Sequence, residues 1–367
     1  MAFYDTVRNP RDFALKASSK SAQSFQMLKS SAEWKSSAST WGLKHLFACR
    51  VVCIKPTQVL SELKDTVEAI KREKNEWDSV LKDLIRGPNE DKATLGSMSD
   101  VKILRQYNND GLGHLWAALS PLVKFDTGPT PDRQLRQRNP SQVVESQGSS
   151  SREASSQTPT PSVTESTPSS IGYHEAEWAP LLEDITVIFA SCFIRHVLAF
   201  CQPADKVSDV VYRAARMAHK DGTLQLCAIN DGGIQVVDQR GTYQVAILEA
   251  KRAFQTIQNG SPTISDELLA QMVGEALGVI ASGSSILRNK VITILAIKQF
   301  VKFLSFTVDE QFMSQFKTMD PAVLNGRNTY LVVNSTVWFD AAVRHGRESI
   351  VSHLMALVDC ADEVVSP

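Results

Sequence analysis

Cysteine is scarce in this chain, and neither sign of charge prevails. Six cysteines among 367 residues, at 49, 53, 192, 201, 227 and 360, have neither the density nor the spacing of a disulfide scaffold and are expected to be reduced. Forty acidic side chains against 39 Lys and Arg exclude a protein that works only as a polycation on nucleic acid, so any basic surface must be local. Long hydrophobic runs are missing too: no stretch approaches the roughly 18 apolar residues of a membrane span, and the opening Met1-Ala2-Phe3-Tyr4-Asp5-Thr6 is not a secretory signal. Asp5 and Asp12 fit a transit peptide poorly, and the expectation is a soluble, intracellular protein, nuclear or cytoplasmic, with no membrane partner. A Gly-rich phosphate loop, a nucleophile elbow and a zinc-protease motif are also absent.

What is present is enough apolar material, 43% of residues with 15 Phe and 6 Trp, for a sizeable core. At about 150 residues per domain the length predicts two domains and a remainder. Residues 1–55 carry nine Lys or Arg against Asp5, Asp12 and Glu33, which makes this arm locally basic. It reads either as a phosphate-contacting or nuclear-import patch or as a solvated arm, since it contains no compact basic block.

From Leu60 the apolar positions Leu60, Leu63, Val67, Ile70, Trp77, Leu81 and Leu84 alternate steps of three and four, with Lys74 at the one register position that is not apolar. That is a heptad seam ended by Gly87-Pro88. It predicts either a coiled coil pairing two chains or an amphipathic helix packed on its own domain. Val101, Leu104, Leu112, Leu115, Trp116 and Leu119 close this helical module at about residue 126. Over 127–172 Ser, Thr, Pro, Gln and Gly take over, as in Thr158-Pro159-Thr160-Pro161, and too little apolar surface remains to offset ordering entropy, so a disordered linker is expected.

Residues 173–367 read as an α/β domain. A helical apolar pattern runs from Trp178 to Phe200. Strand signals follow at 224–229, 234–237, 243–248, 291–297, 300–308 and 330–333, and helices fit 265–281 and 335–359. The chemistry concentrates in Asn230-Asp231-Gly232-Gly233 and Leu248-Glu249-Ala250-Lys251-Arg252. A hairpin whose loop is Gln239-Arg240-Gly241 sets Asp238 against Thr242 and, counting back, Asp231 against Glu249, unless a bulge at Gly232-Gly233 shifts the register. Lys251 then shares a face with Glu249, since side chains alternate along a strand. Two carboxylates at about 5 Å repel unless a cation lies between them, and hard oxygen ligands suit Mg²⁺ or Mn²⁺.

An Asp opening one strand and a Glu-X-Lys on the next resemble the PD-(D/E)XK nuclease superfamily, most closely its fungal nuclease-like proteins. The resemblance covers about 173–359 and implies a restriction-endonuclease-like mixed sheet flanked by helices. It also implies divalent-metal-dependent phosphodiester hydrolysis of nucleic acid, DNA first. Asp231, Glu249, the Ala250 carbonyl and Glu175 or Glu177 would hold the Mg²⁺ or Mn²⁺, Lys251 would position the attacking water, and Gln271 would orient Lys251 or a phosphate. Asn230 stands where the family pattern has Pro. Members of the superfamily that have lost cleavage keep binding, so a non-catalytic binding module is the alternative. A helical module followed by such a nuclease also resembles the front part of fungal spore-killer proteins, toxin-like agents of genetic conflict that continue into a kinase-like domain.

Two smaller groups complete the candidates. His45, Cys49 and Cys53, at steps of four, would align on one helix face as zinc ligands, although no fourth ligand is near in sequence. His345, Arg347 and His353 on the last helix offer a phosphate-contacting or simply solvated face.

Overall fold

A computed structural model describes residues 1–34, 36–108, 111–124, 183–202, 209–213, 218–221, 226–238, 241–258, 261–321 and 329–365. The linker expected over 127–172, together with Glu175 and Glu177, lies outside them.

The N-terminal stretch forms α1 (Phe3–Thr6), α2 (Pro10–Ser19), α3 (Phe25–Lys29), α4 (Leu43–Ala48) and β1 (Val51–Cys53). Then come α5 (Lys64–Arg72), α6 (Ser79–Arg86), α7 (Lys92–Ser97), α8 (Asp100–Gln106) and α9 (Leu112–Lys124). The C-terminal half contains α10 (Glu183–Cys201), β2 (Asp209–Arg213), β3 (Ala218–Asp221), β4 (Leu226–Ile229), β5 (Gly233–Asp238) and β6 (Gly241–Lys251). It continues with β7 (Thr256–Gln258), β8 (Ser261–Thr263), α11 (Asp266–Ala281), β9 (Lys290–Ile297), β10 (Phe300–Thr307), α12 (Glu310–Gln315), β11 (Leu331–Ser335), β12 (Phe339–Asp340) and α13 (Arg344–Val365).

The fold is mixed α/β, a large mixed sheet with helices on both faces. Its strand order is β1-β11-β10-β9-β6-β5-β2, with β12 against β10. β6 and β9 run parallel, Glu249 beside Leu295, and the connection between them carries α11. α11 and the α1–α4 stretch cover one face, where Ile247, Leu295 and Leu304 meet Phe13, Trp41 and Met272. Against the other, α5, α6, α9, α10 and α13 bury Leu248, Ile294 and Phe303. Ser265 starts α11 by accepting from Leu268 N at 3.2 Å, a cap that the Ser265-Asp266 pair announces.

β1 lies at the sheet edge parallel to β11, with Val51 beside Leu331. The boundary expected near 126 therefore separates stretches of sequence, not cores. The basic arm is packed on the sheet through its apolar residues, with Phe3, Val7, Phe13 and Phe25 buried, while Arg11, Lys20, Lys44 and Lys55 are exposed to solvent and Arg50 is fully enclosed. Arg50 donates to the Thr329 and Asp320 carbonyls at 2.8 Å each and lies over the Phe13 and Tyr330 rings. The zinc reading fails for a related reason. α4 ends before Cys49, Cys53 is in β1, and His45 stacks on Trp41 with its Nδ1 accepting from Gly42 N. Burial raises both thiols and keeps them protonated.

The heptad seam is not a coiled coil. The helix breaks between Arg72 and Ser79, with Lys74 in the break, ion-paired to Glu348 at 3.0 Å, and with Asp78 capping α6. Every seam residue is at most 7% exposed, so no apolar stripe remains for a second chain. α5 and α6 pack instead on α13. There Arg347, expected at a helix surface, is buried and donates to the Ile85, Arg86 and Ala341 carbonyls, capping α6 from outside. A Cβ at Gly87 would lie 2.1 Å from its guanidinium, and φ there is +83°, so only glycine fits. His353 is buried too: Nε2 accepts from Leu60 N at 3.3 Å, Nδ1 meets the Ser349 carbonyl at 2.7 Å, and burial lowers its pKa to about 4. His345 alone of that trio is exposed. The last helix starts nine residues later than expected because Ser335 ends β11 and Phe339–Asp340 forms β12.

α10, with a mean hydropathy of 1.7 over its best window, is long and apolar enough to cross a bilayer, contrary to the expectation of no such run. Its Phe189, Phe193, Ile194 and Val197 are buried in the core.

Because the seam is internal, Leu84→Ala should lower stability by about 2–5 kcal/mol, the range for an enclosed leucine. Thermal melts at protein concentrations tenfold apart should show the same loss at each, whereas a seam shared between chains makes the midpoint rise with concentration.

Candidate active site

β5 and β6 form the hairpin that carries the sequence motif, but its register is reached by two offsets. Gly241 is not in the loop; it pairs with Asp238, and Val237 pairs with Thr242, one residue tighter than expected. Between Ile234 and Gln235 the register shifts, since Gln235 faces Gln244 while Ile234 faces Ala246, which leaves Val245 as an extra residue on β6. The offsets cancel. Beyond the bulge the ladder continues with Leu248 N donating to Gly232 O at 2.8 Å and Asp231 N to Leu248 O at 3.0 Å. Asp231 is thereby brought beside Glu249 as expected, although the bulge is on β6 rather than at Gly232-Gly233.

The bulge has its own support. Buried Gln244 donates through Nε2 to the Ile234 and Ala246 carbonyls at 3.2 and 2.6 Å, and its Oε1 accepts from Gln235 Nε2 at 3.1 Å. Any Cβ at Gly233 would lie 2.3 Å from the Ala246 carbonyl, so that glycine permits the close approach. At the strand end the Asp231 side chain continues the ladder, Oδ2 accepting from Ala250 N at 3.0 Å. Asn230 accepts through Oδ1 from Gly232 N and closes the turn into β5.

Glu249 is 1% exposed. Its Oε1 accepts from Lys251 Nζ at 2.6 Å and from Gln271 Nε2 at 2.8 Å, while Oε2 is buried without a hydrogen bond. Burial pushes this carboxyl up to about 7, with the Lys251 charge pulling it down and that of Asp231 adding to the rise. Lys251 is held above the usual lysine value: burial works against its charge, but Glu249 and Glu183 more than offset it. The structure thus brings Asp231, Glu249, Lys251 and Gln271 together at one end of β6.

Sequence reasoning missed two members of this group. Glu183, in the first turn of α10, reaches Lys251 Nζ at 3.2 Å. It begins the very helix whose acid was sought at 175 or 177, six to eight residues earlier in the sequence. Glu275 is one helical turn after Gln271 and accepts from the same Gln271 Nε2 at 2.9 Å. It is 1% exposed, its Oε2 has no partner, and burial together with the Glu249 charge raises its pKa well above the ordinary value. The i, i+4 spacing from Gln271 was a legible signal for it.

Two carboxylates, Glu249 and Glu183, pair with one ammonium, Lys251, and Asp231 is near enough for its charge to raise Glu249, so acids outnumber the lysine around this strand end. Among the described residues no set of three or more His, Cys, Asp or Glu side chains is arranged to hold a metal ion. The available donors are two carboxylates and a backbone carbonyl. Such a set suits a small hard cation that keeps most of its water, not one enclosed by protein.

Glu275 generates a pH prediction. Its folded-state pKa is raised, so the folded protein keeps a proton that the unfolded chain releases above about 4.5, and stability falls as pH rises from there. Glu275→Gln removes that dependence. At pH 8 the variant should melt higher, by about 1–2 °C per kcal/mol of relieved cost, with the difference closing toward pH 4. A melting difference that is independent of pH contradicts the assignment. No family model, no curated protein and no solved structure matches the chain, so the site stands on its own chemistry.

Proposed function

We propose that the chain is a divalent-metal-dependent phosphodiester hydrolase acting on nucleic acid, DNA first, with a restriction-endonuclease-like sheet and a PD-(D/E)XK-type site. The observation that carries this reading is the surplus of acids at the end of β6, where Glu249 and Glu183 share one lysine beside Asp231 and Glu249 presents a buried oxygen without a partner. An orphaned carboxylate oxygen in a net-negative site is a group waiting for a cation.

The residues fit Mg²⁺ or Mn²⁺. Asp231 and Glu249, with the Ala250 carbonyl, would hold it, and Glu183 supplies the helix acid first sought at Glu175 or Glu177. When bound, such an ion activates water and neutralises charge on phosphate oxygens. Lys251 donates from the strand end to the attacking water and to the developing oxyanion. Gln271 fixes the Glu249 carboxylate through its 2.8 Å hydrogen bond, with Glu275 holding the other side of the same amide nitrogen. The apolar walls of α10 and α11 limit water and so strengthen these interactions.

One observation favours a second reading, a nuclease-fold module that binds without cutting. Glu249 Oε1 is already occupied by Lys251 and Gln271, so a cation must compete with an internal ion pair.

Purified protein should nick plasmid DNA with Mg²⁺ or Mn²⁺ and stop on chelation. Glu249→Gln and Lys251→Ala should each reduce the rate by about 10²-fold or more, the scale of losing a group that acts on the proton or the charge in the transition state. Wild type as inert as both variants on DNA and on RNA, with binding retained, would select the non-cleaving module.

A further inference from the structure

α10 and β2 enclose an open groove of about 430 Å³, lined by Arg195, Leu198, Gln202, Val210, Tyr212 and Arg213 together with the ends of β2. Among the described residues β2 is an edge strand of the sheet, with no further strand beyond it. The groove has a direction. Arg213 is in register with Gly233, two residues from Asp231, whereas Asp209, the one acid along it, faces Val237 near the far end of the hairpin. At about 3.3 Å per residue the basic end is about 13 Å from that acid.

Arg195 and Arg213 are both exposed, and neither is ion-paired among the described residues. Arg195 is not loose, for its guanidinium lies 5.2 Å above the centre of the Tyr212 ring. Tyr212 is 5% exposed, and its hydroxyl is buried without a hydrogen-bond partner. Burial pushes the phenol up to about 12, with Arg195 opposing and Asp231 adding to the rise, so it stays an O–H donor within the field of the site. Two unpaired guanidiniums and an unused donor at the edge of a net-negative site are arranged for phosphates, which such a site would otherwise repel.

We propose that this groove is where the substrate's sugar–phosphate backbone is held, Arg213 and Arg195 each taking a phosphate next to the one at Asp231 and Glu249. The proposal rests on the nucleic-acid reading above but not on hydrolysis. It answers how a neutral chain with an acidic centre retains a polyanion: by a local cationic rail, not by bulk charge.

The test is fluorescence anisotropy of a labelled 12-nucleotide single strand and of its duplex in EDTA, over a salt series, with plasmid cleavage measured separately. Arg195→Ala/Arg213→Ala should weaken binding at least tenfold and lower the slope of log K against log salt by about 1.4–1.8, two phosphate contacts' worth. Arg195→Lys/Arg213→Lys, which keeps both charges, should retain most of the slope, a result that mere loss of packing cannot give. The more affected of the two ligands is the one the groove holds. Unchanged affinity and slope in the alanine variant overturn the proposal, as does wild type that binds neither ligand. Arginine-dependent binding without any cleavage leaves the groove standing and removes the hydrolase; cleavage indifferent to both arginines does the reverse.

Discussion

The structure depends on the parallel pairing of β6 with β9. A parallel neighbour requires a crossover, and this crossover carries α11 across the face where Glu249 points. Gln271 and Glu275 reach the strand end only for that reason. The same pairing puts β6 in the middle of the sheet, covered on both faces, so the carboxylate of Glu249 is far from bulk water while its strand end meets the first turn of α10. A charge in that position is costly unless partners surround it. Lys251 and Gln271 are those partners, Glu183 pairs in turn with Lys251, and Glu275 is held toward its neutral form. Burial, ion pairing and the raised Glu249 thus follow from one topological choice.

The strands that carry the site were legible because their residues obey local rules: alternation, a short turn and a Ser-Asp helix start. The hairpin was read correctly at Asp231 and Glu249 through two unseen offsets. A loop shorter by one residue and a bulge at Val245 are set by Gln244 and by the close approach at Gly233, and neither is written in a hydrophobic period. The N-terminal half was less legible. Leu60 to Leu84 does have a heptad spacing, but spacing does not say which surface the stripe will meet. That was decided by Asp78 capping a second helix and by α13, nearly three hundred residues along the chain. Arg50, Arg347 and His353 illustrate the same limit. Their residue types suggest surface chemistry, and only the tertiary structure supplies the carbonyls and rings that enclose them.

The N-terminal residues do more than precede the domain. β1 closes the β11 edge, α4 and α2 cover the strands beside it, and α5 and α6 lean on α13. Lys302, buried on β10, meets the Tyr4 hydroxyl and the Thr336 carbonyl, and burial lowers its pKa to about 7. Tyr4 itself is hydrogen-bonded to Ser335. Lys302 is opposite Leu295 of β9, which in turn is beside Glu249 of β6, so the buried lysine of the scaffold and the buried acid of the site lie in one row of the sheet with a single strand between them.

The Val245 bulge separates the hairpin into two independent stretches. On the turn side the numbers of paired residues sum to one less than at the strand end, and Gln244 bridges the carbonyls on either side of the change. A single-residue slip in an uninterrupted hairpin turns every side chain beyond it to the opposite face. Here the one surplus residue at Val245 offsets the one-residue-tighter turn, so the acids beyond the bulge return to the face that an uninterrupted hairpin with this turn would have turned them from.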